Sequence, residues 1–212
     1  MQQQNCCAGV DEAGCGSLIG DLVACAVVIP DHVRLDGNAD SKKLSAKKRT
    51  QLAATIRDTC AVGVGVVSCT EIDTYSFAWA RRAVFQRALD ALAGTDYTRI
   101  IVDGTGFFDG YGNTPFLLEA KADAKYDCVA AASVVAKVHR DKLVVTMCDE
   151  DSAAAALYGW RTNMGYPTRA HLAALQRYGS TRHHRMSFAP CRQATPSTTL
   201  NPRLPLVPHF AA

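Results

Sequence analysis

The sequence predicts an α/β fold, and three of its features support this class. Two apolar runs near the N-terminus are rich in small and β-branched residues, which is typical of buried strands. Segments with helical periodicity then alternate with further short apolar runs, the order expected of a sheet covered by helices. The 212 residues, 48% of them hydrophobic, suffice for one large domain, or one domain with a small appendage.

The first two strands are predicted to form a hairpin. Cys6–Val10 and Leu22–Ile29 bracket a glycine-rich turn that carries Asp11 and Glu12. The polar residues that follow, 40–44, indicate a loop.

A helix, a strand and a second helix should come next. Ser45 has the N-cap position of a helix in which Leu52 and Ile56 recur at a spacing of four residues. Residues 61–68 alternate valine with glycine and predict a strand, and residues 73–92 place apolar side chains on one helical face. The remaining predicted elements are strands over 99–103 and 116–119 and helices over 128–149 and 170–178.

Charge is distributed unevenly along the chain. All 20 Asp and Glu residues lie before Ser152, so that residues 1–151 carry a net charge of −4, whereas the remainder has no acid and a net charge of +7. We expect a folded domain over 1–191, with a basic helical part over about 150–191, and a disordered tail over 192–212. A basic wall beside an acidic pocket is suited to holding a polyanion.

The cysteines and the hydropathy pattern bear on the cellular compartment. Nine cysteines, an odd number, are scattered without Cys-x-x-Cys pairs, which argues against a zinc site or a disulfide framework. No apolar stretch approaches the roughly 20 residues that span a bilayer, and the N-terminus lacks the pattern of a secretory signal. We therefore expect a cytoplasmic monomer with reduced thiols and no membrane contact.

Four carboxylates dominate the functional interpretation. Asp11 and Glu12 follow the first apolar run, Asp103 ends the predicted strand 99–103, and Asp123 lies between two lysines. A split set of acids at strand ends is what a phosphoryl-transfer metal site requires, which makes a nuclease the first candidate. Chance pairs are common among 20 acids, and a strand followed by Asp-Gly is most often a turn, so the surrounding motifs decide.

Six motifs surround these acids and continue beyond them. They are Val10–Gly14 (VDEAG), Asp40–Ser45 (DSKKLS), Asp103-Gly104, Lys121–Lys125 (KADAK), Ala130–Val138 with Arg140-Asp141, and a closing block of Gly165–Thr168, His171-Leu172 and His184–Pro190. In this order and with these gaps, over about residues 7–191, they resemble the motifs of the ribonuclease HII (type 2 ribonuclease H) family.

The resemblance implies both a fold and an activity. The fold would be RNase H-like: a mixed five-stranded sheet flanked by helices, with a helical C-terminal part beside the cleft. The activity would be that of an endonuclease that cuts the RNA strand of RNA–DNA hybrids and incises 5′ of a single ribonucleotide in duplex DNA. Its products would carry 3′-hydroxyl and 5′-phosphate ends, and its partners would be these two nucleic acids.

Carried over residue by residue, the resemblance implies that Asp11, Glu12, Asp103 and Asp123 are the catalytic metal ligands. Two Mg²⁺ or Mn²⁺ ions roughly 4 Å apart activate a water and stabilise the leaving oxygen of an in-line displacement. Several carboxylates are needed because two dications so close together repel each other. No side-chain nucleophile is required.

Substrate-binding residues are implied in the same way: Gly14, Cys15, Gly16, Lys42, Tyr166 and Arg185. The backbone of the glycine turn would contact the 2′-hydroxyl, the group that distinguishes RNA from DNA. Tyr166 would pack against the sugar at the RNA–DNA junction, and Lys42 would contact a phosphate. Arg185 would either contact a phosphate or brace the fold through Ser187.

Three positions depart from the family pattern. Cys15 stands where the family has an arginine between two glycines, Asp21 replaces a proline, and Ala122 replaces a glycine. The first change removes a guanidinium that can hold a phosphate, whereas backbone readout of the 2′-hydroxyl is retained. We predict weaker substrate binding or an altered preference, with cleavage of longer hybrids retained better than cleavage at a single ribonucleotide.

Two other functions remain alternatives. One is another two-metal nuclease of the same superfamily that acts on DNA and does not need the glycine-turn contacts. The other is an RNase H-like hybrid-binding protein with weak or lost catalysis. The presence of all four acids argues against lost catalysis, because acids around an unused site repel each other.

Overall fold

The computed structural model describes residues 6–35 and 45–194 and divides the chain into two units. The first unit takes in Met1–Cys15, Leu22–Val67 and Ala78–Arg140, and the second takes in Gly16–Asp21, Ser68–Phe77 and Asp141–Ala212. Each unit is thus assembled from separate stretches of sequence.

Five strands form one mixed sheet in the first unit. They are β1 (Cys7–Ala13), β2 (Leu22–Val28), β3 (Ala61–Val67), β4 (Arg99–Asp103) and β5 (Phe116–Glu119). Their order across the sheet is β3-β2-β1-β4-β5. The pairs β1–β2 and β2–β3 are antiparallel, whereas β1–β4 and β4–β5 are parallel. The predicted α/β class with a mixed five-stranded sheet is confirmed.

Eight α-helices and a short 3₁₀ helix are found in the described residues. They are α1 (Ala46–Thr59), α2 (Cys69–Tyr75), α3 (Phe77–Asp90), the 3₁₀ helix Ala122–Ala124, α4 (Asp127–Glu150), α5 (Ser152–Tyr158), α6 (Trp160–Asn163), α7 (Arg169–Tyr178) and α8 (Ala189–Gln193). Ser45 caps α1 as predicted, since its hydroxyl accepts the Lys48 N–H at 3.3 Å. Every helix in the described ranges is too short or too polar to cross a bilayer.

Glycines in the strands let helices approach both faces of the sheet in the first unit. A Cβ on Gly9 of β1 would lie 2.2 Å from the backbone carbonyl carbon of Cys128 in α4. On the other face, a Cβ on Gly65 of β3 would lie 2.2 Å from the carbonyl oxygen of Val84 in α3. The alternation of glycine and valine in β3 therefore serves helix packing as well as strand formation.

The single helix predicted over residues 73–92 is wrong. The chain instead forms α2 and α3, separated at Ser76, whose φ of 98° cannot continue a helix. The sequence carries a signal for the earlier start of α2, because Ser68 and Glu71 form a capping box.

The C-terminal part of the second unit contains the helices α5 to α8, between Ser152 and Gln193. Tyr158 and Trp160 are buried at its centre, with their rings stacked at 5.3 Å between centroids. The last helix, α8, runs to Gln193, two residues beyond the predicted end of the folded domain at residue 191, and residues 195–212 lie outside the described part.

Two buried histidines complete this core, and their hydrogen bonds define their protonation. Nδ1 of His171 lies 3.0 Å from the carbonyl oxygen of Tyr166 and must donate to it, so its Nε2 accepts the Trp160 indole N–H at 3.2 Å. Nδ1 of His184 accepts the Thr181 N–H at 2.9 Å, so its Nε2–H donates to Nε2 of His171 at 3.2 Å. Both rings are neutral. Burial lowers both pKa values, that of His184 to about 3.

Acid should destabilise the fold through His184. Its pKa is about 3 in the folded protein and about 6.5 in an unfolded chain, so the unfolded state binds more protons between these values. Stability should therefore fall as the pH drops below about 6.5, with a contribution from this residue of up to about 1.4 kcal/mol per pH unit. Urea unfolding at pH 7 and pH 5 should show a smaller pH effect in His184→Gln than in the wild type. The exposed His32→Gln serves as the control, and equal pH effects in all three proteins would contradict the assignment.

Gly9→Ala should destabilise the first unit by about 3 kcal/mol or more, because the new methyl group would overlap backbone atoms of α4, which cannot rotate away. Gly106→Ala is the matched control, since a Cβ at Gly106 meets no atom within 4 Å. Chemical denaturation of both variants measures the difference, and a Gly9→Ala protein as stable as the control would disprove the close packing.

Candidate active site

Asp11 and Asp103 lie side by side where the parallel pairing of β1 with β4 ends. Val10 pairs with Val102, so the next residues along β1 and β4, Asp11 and Asp103, follow at the same level of the sheet. Residues at matching positions of neighbouring strands share a face. This shared face is the one that α4 covers, because the Ser133 hydroxyl of α4 hydrogen-bonds to the Asp11 carboxylate.

Asp123 is brought to the same end of β4 by the 3₁₀ helix. The backbone N–H of Ala122, the first residue of that helix, donates to Oδ1 of Asp103 at 2.7 Å. Asp123 follows immediately and is partly exposed. Since this contact uses a main-chain N–H, alanine in place of the family's glycine at position 122 preserves it.

Glu12 points to the opposite face of the sheet from Asp11. The glycine-rich sequence predicts a turn for both residues, but β1 continues to Ala13, and consecutive residues of a strand alternate between faces. Oε1 of Glu12 accepts two hydrogen bonds there, from the Arg81 guanidinium of α3 at 2.5 Å and from the Cys15 thiol at 3.1 Å.

Burial and neighbouring negative charges raise the proton affinity of Asp11 and Glu12. Asp11 is only 8% exposed, and burial, followed by the negative charges of Glu12 and Asp103, raises its pKa to about 8. Burial also raises the pKa of Glu12, against the opposing effect of the Arg81 charge. The site therefore favours the binding of a proton or a metal cation.

The donor set fits a hard divalent cation. In the part of the chain that the structure describes, Oε2 of Glu12 is buried without a hydrogen-bond partner, so a metal ion would satisfy it. Carboxylate oxygens are the ligands that Mg²⁺ and Mn²⁺ prefer. In the present arrangement no three His, Cys, Asp or Glu side chains within residues 6–35 and 45–194 are grouped to hold one ion. The pairing of Glu12 with Arg81 on the other face is one physical reason.

The predicted glycine turn is divided between the two units. Gly14 has a φ of 100°, which a residue with a side chain rarely adopts, and Cys15 is partly buried against Glu12. Gly16 belongs to the second unit, where a Cβ on it would lie 4.0 Å from Cε1 of Tyr166. Within that unit Gly16 and the half-buried Tyr166 are therefore neighbours.

The predicted substrate contact of Arg185 needs correction. Arg185 is 0% exposed and donates to the carbonyl oxygens of Gly20 and Asp21 at 2.8 and 3.0 Å. A guanidinium buried in this way offers no surface to a phosphate. Arg185 braces the backbone of the second unit through these two carbonyl oxygens. Lys42, the other basic residue of the predicted set, lies outside the described residues.

Several residues with a clear role escaped the sequence analysis. Arg81 lies in none of the six motifs, and its position beside Glu12 depends on how α3 packs on the sheet. Asp73 accepts hydrogen bonds from the N–H groups of Met186 and Ser187, at 2.8 and 2.9 Å. Asp21 accepts the first N–H of α2, from Cys69 at 3.1 Å, which gives this departure from the family pattern a structural role.

Comparison with known proteins gives one consistent family. The family model for ribonuclease HII matches residues 8–191. A ribonuclease HII of Sphingopyxis alaskensis is 42% identical over 189 residues, covering 87% of this chain and 89% of the relative. That of Magnetococcus marinus is 44% identical over 194 residues, covering 89% and 86%. Among solved structures, the ribonuclease H2 of Pyrococcus horikoshii OT3 is similar with a TM-score of 0.71 at 28% identity, covering 89% of this chain and 96% of the other.

Asp103→Asn should stabilise the protein in EDTA and weaken its response to metal. The change removes one of the charges that repel Asp11 and Glu12, so the free energy of unfolding should rise by roughly 1 kcal/mol. The increase in Tm that Mn²⁺ produces in the wild type should shrink, because one ligand charge is lost. Thermal denaturation with and without Mn²⁺ tests both effects. Asp109→Asn, at an exposed acid paired with Arg82, is the control. An unchanged Mn²⁺ response in Asp103→Asn would argue against metal binding at Asp103.

Proposed function

This chain belongs to the ribonuclease HII family, and we propose that it is a divalent-metal-dependent endonuclease that hydrolyses the RNA strand of RNA–DNA hybrids. The observation that carries the proposal is the pair Asp11 and Asp103, which lie on one face at the ends of adjacent parallel strands inside the matched region. The two carboxylates repel each other, and a cation bound between them would remove this repulsion and would therefore be held strongly.

Asp11, Glu12, Asp103 and Asp123 would hold the metal, and an all-carboxylate set suits Mg²⁺ and Mn²⁺ alike. When bound, the divalent ions supply Lewis acidity that activates the attacking water and stabilises the leaving 3′ oxygen. Ser133 orients Asp11 through its hydroxyl, and the Ala122 N–H orients Asp103. These contacts restrict both carboxylates before metal arrives, which reduces the entropy lost on binding.

Discrimination between RNA and DNA would come from the turn after β1 and from Tyr166. The positive φ of Gly14 sets the course of the turn after β1. At Gly16 the lack of a side chain would let a sugar approach the backbone amide closely. The neighbouring Tyr166 ring would then pack against that sugar. The 2′-hydroxyl is the group that such a contact reads.

We also propose a second substrate, the chemistry of the product ends, the oligomeric state and the cellular compartment. Duplex DNA with a single ribonucleotide would be a second substrate, cut less well than a longer hybrid because Cys15 is neutral and short. Products would carry 3′-hydroxyl and 5′-phosphate ends. The enzyme would act as a cytoplasmic monomer.

Purified protein should cut the RNA strand of a labelled RNA–DNA hybrid in the presence of Mg²⁺ or Mn²⁺. Asp103→Asn should reduce the rate at least about 100-fold, because a metal ligand is lost, whereas Asp109→Asn should act like the wild type. A duplex with one ribonucleotide and an all-DNA duplex complete the assay. Cleavage of the all-DNA duplex would favour the DNA-cutting alternative. Metal-dependent binding of the hybrid without cleavage would favour the hybrid-binding alternative.

A further inference from the structure

Arg81 occupies an unusual position in the first unit. Its guanidinium extends from α3 to the end of β1, where Nη2 lies 2.5 Å from Oε1 of Glu12. The same group lies over the Phe107 ring, with Cζ 4.7 Å from the ring centroid. A Cβ on Gly104, the residue after Asp103, would lie 3.8 Å from Nη2. Arg81 thus places a positive charge beside Glu12 and close to the backbone that follows Asp103.

The environment of Arg81 differs from that of an ordinary surface arginine. Its side chain is 17% exposed, and in the described part of the chain its Nε is buried without a hydrogen-bond partner. The next residue, Arg82, is a useful contrast, since its side chain is 50% exposed and paired with the exposed Asp109. Because it is largely removed from water, this guanidinium would bind an anion more strongly than an exposed one.

The Cys15 thiol and the Arg81 guanidinium share one oxygen, Oε1 of Glu12. Cys15 lies in the glycine turn but can supply neither a positive charge nor a planar pair of donors. Arg81 supplies both at the same place, from a different element of the fold. The Phe107 ring supports the guanidinium plane, so that it would stay in place if it lost its contact with Glu12.

We propose that Arg81 is a phosphate-binding residue of this active site, which exchanges Glu12 for a nucleic-acid phosphate when Glu12 turns to a metal ion. The inference rests on the proposed function, because it takes the substrate to be a nucleic acid bound beside a metal site. A guanidinium and a dication compete for the single negative charge of the Glu12 carboxylate, so metal binding weakens its pairing with Arg81. The freed fork then makes charge-assisted hydrogen bonds to a backbone phosphate, a contact that the neutral Cys15 cannot make.

Opposite effects of Arg81→Gln on two binding equilibria provide the test. Calorimetric titration with Mn²⁺ alone should show tighter metal binding by a few-fold, since a competing cation is gone. Fluorescence anisotropy with a labelled RNA–DNA hybrid in Ca²⁺, with gels to verify that the hybrid stays intact, should show about ten-fold weaker binding. The salt dependence of hybrid binding should become shallower by about 0.9 in log–log slope, the value for one lost phosphate contact.

Three further variants make the result specific. Arg82→Gln removes a neighbouring arginine that is paired elsewhere and should leave both equilibria unchanged. Arg81→Lys keeps the charge without the planar fork and should restore the wild-type Mn²⁺ affinity. Cys15→Arg in the Arg81→Gln background returns a guanidinium to the same carboxylate oxygen and should recover most of the hybrid affinity.

The proposal is overturned if Arg81→Gln binds the hybrid with wild-type affinity and salt dependence. It is also overturned if metal and hybrid binding weaken together with a lower Tm and Arg81→Lys restores both, since Arg81 would then only support Glu12. A parallel Mn²⁺ cleavage assay of the wild type distinguishes failure of the proposed nuclease function from failure of the proposed role of Arg81. A wild type that binds but does not cut the hybrid refutes the proposed function, whereas a wild type that cuts, with Arg81→Gln binding equally well, refutes only the role of Arg81.

Discussion

The parallel pairing of β1 with β4 is the constraint on which the candidate site depends. It sets Asp11 and Asp103 at one level and on one face of the sheet, although 91 positions separate them in the sequence. The approach of α4 is part of the same constraint, because the absence of a side chain at Gly9 lets the helix backbone lie directly on β1. Only with α4 that close does Ser133 reach the Asp11 carboxylate.

This arrangement brings like charges together where water is scarce. The raised pKa of Asp11 expresses the resulting electrostatic penalty, to which burial contributes most and the charges of Glu12 and Asp103 add. The protein reduces the penalty on the other face, where Arg81 neutralises Glu12. A site that is destabilised without its cation binds that cation more tightly, which is a common relation between stability and function at active sites.

The second unit handles its buried polar groups in the opposite way, by satisfying them. The His184 ring donates a hydrogen bond to the His171 ring, which donates one to the Tyr166 carbonyl oxygen. Both rings stay neutral. The buried Arg185 likewise donates to the carbonyl oxygens of Gly20 and Asp21. Hydrogen bonding of this kind holds the backbone at Tyr166 in one geometry.

Local patterns in the sequence were enough to predict the β1–β2 hairpin, the cap at Ser45 and the short strands β4 and β5, because period and capping act over a few residues. The motifs identified the family and the four acids as candidates. The sequence could not show that Asp11 and Glu12 face opposite sides, since that depends on where β1 ends and which helix covers each face. Nor could it assign the arginines: Arg81 became part of the candidate site, and Arg185 became a buried brace, through contacts with residues far away in the chain. Those contacts exist only once the sheet has brought distant segments together, and so the tertiary structure alone decided them.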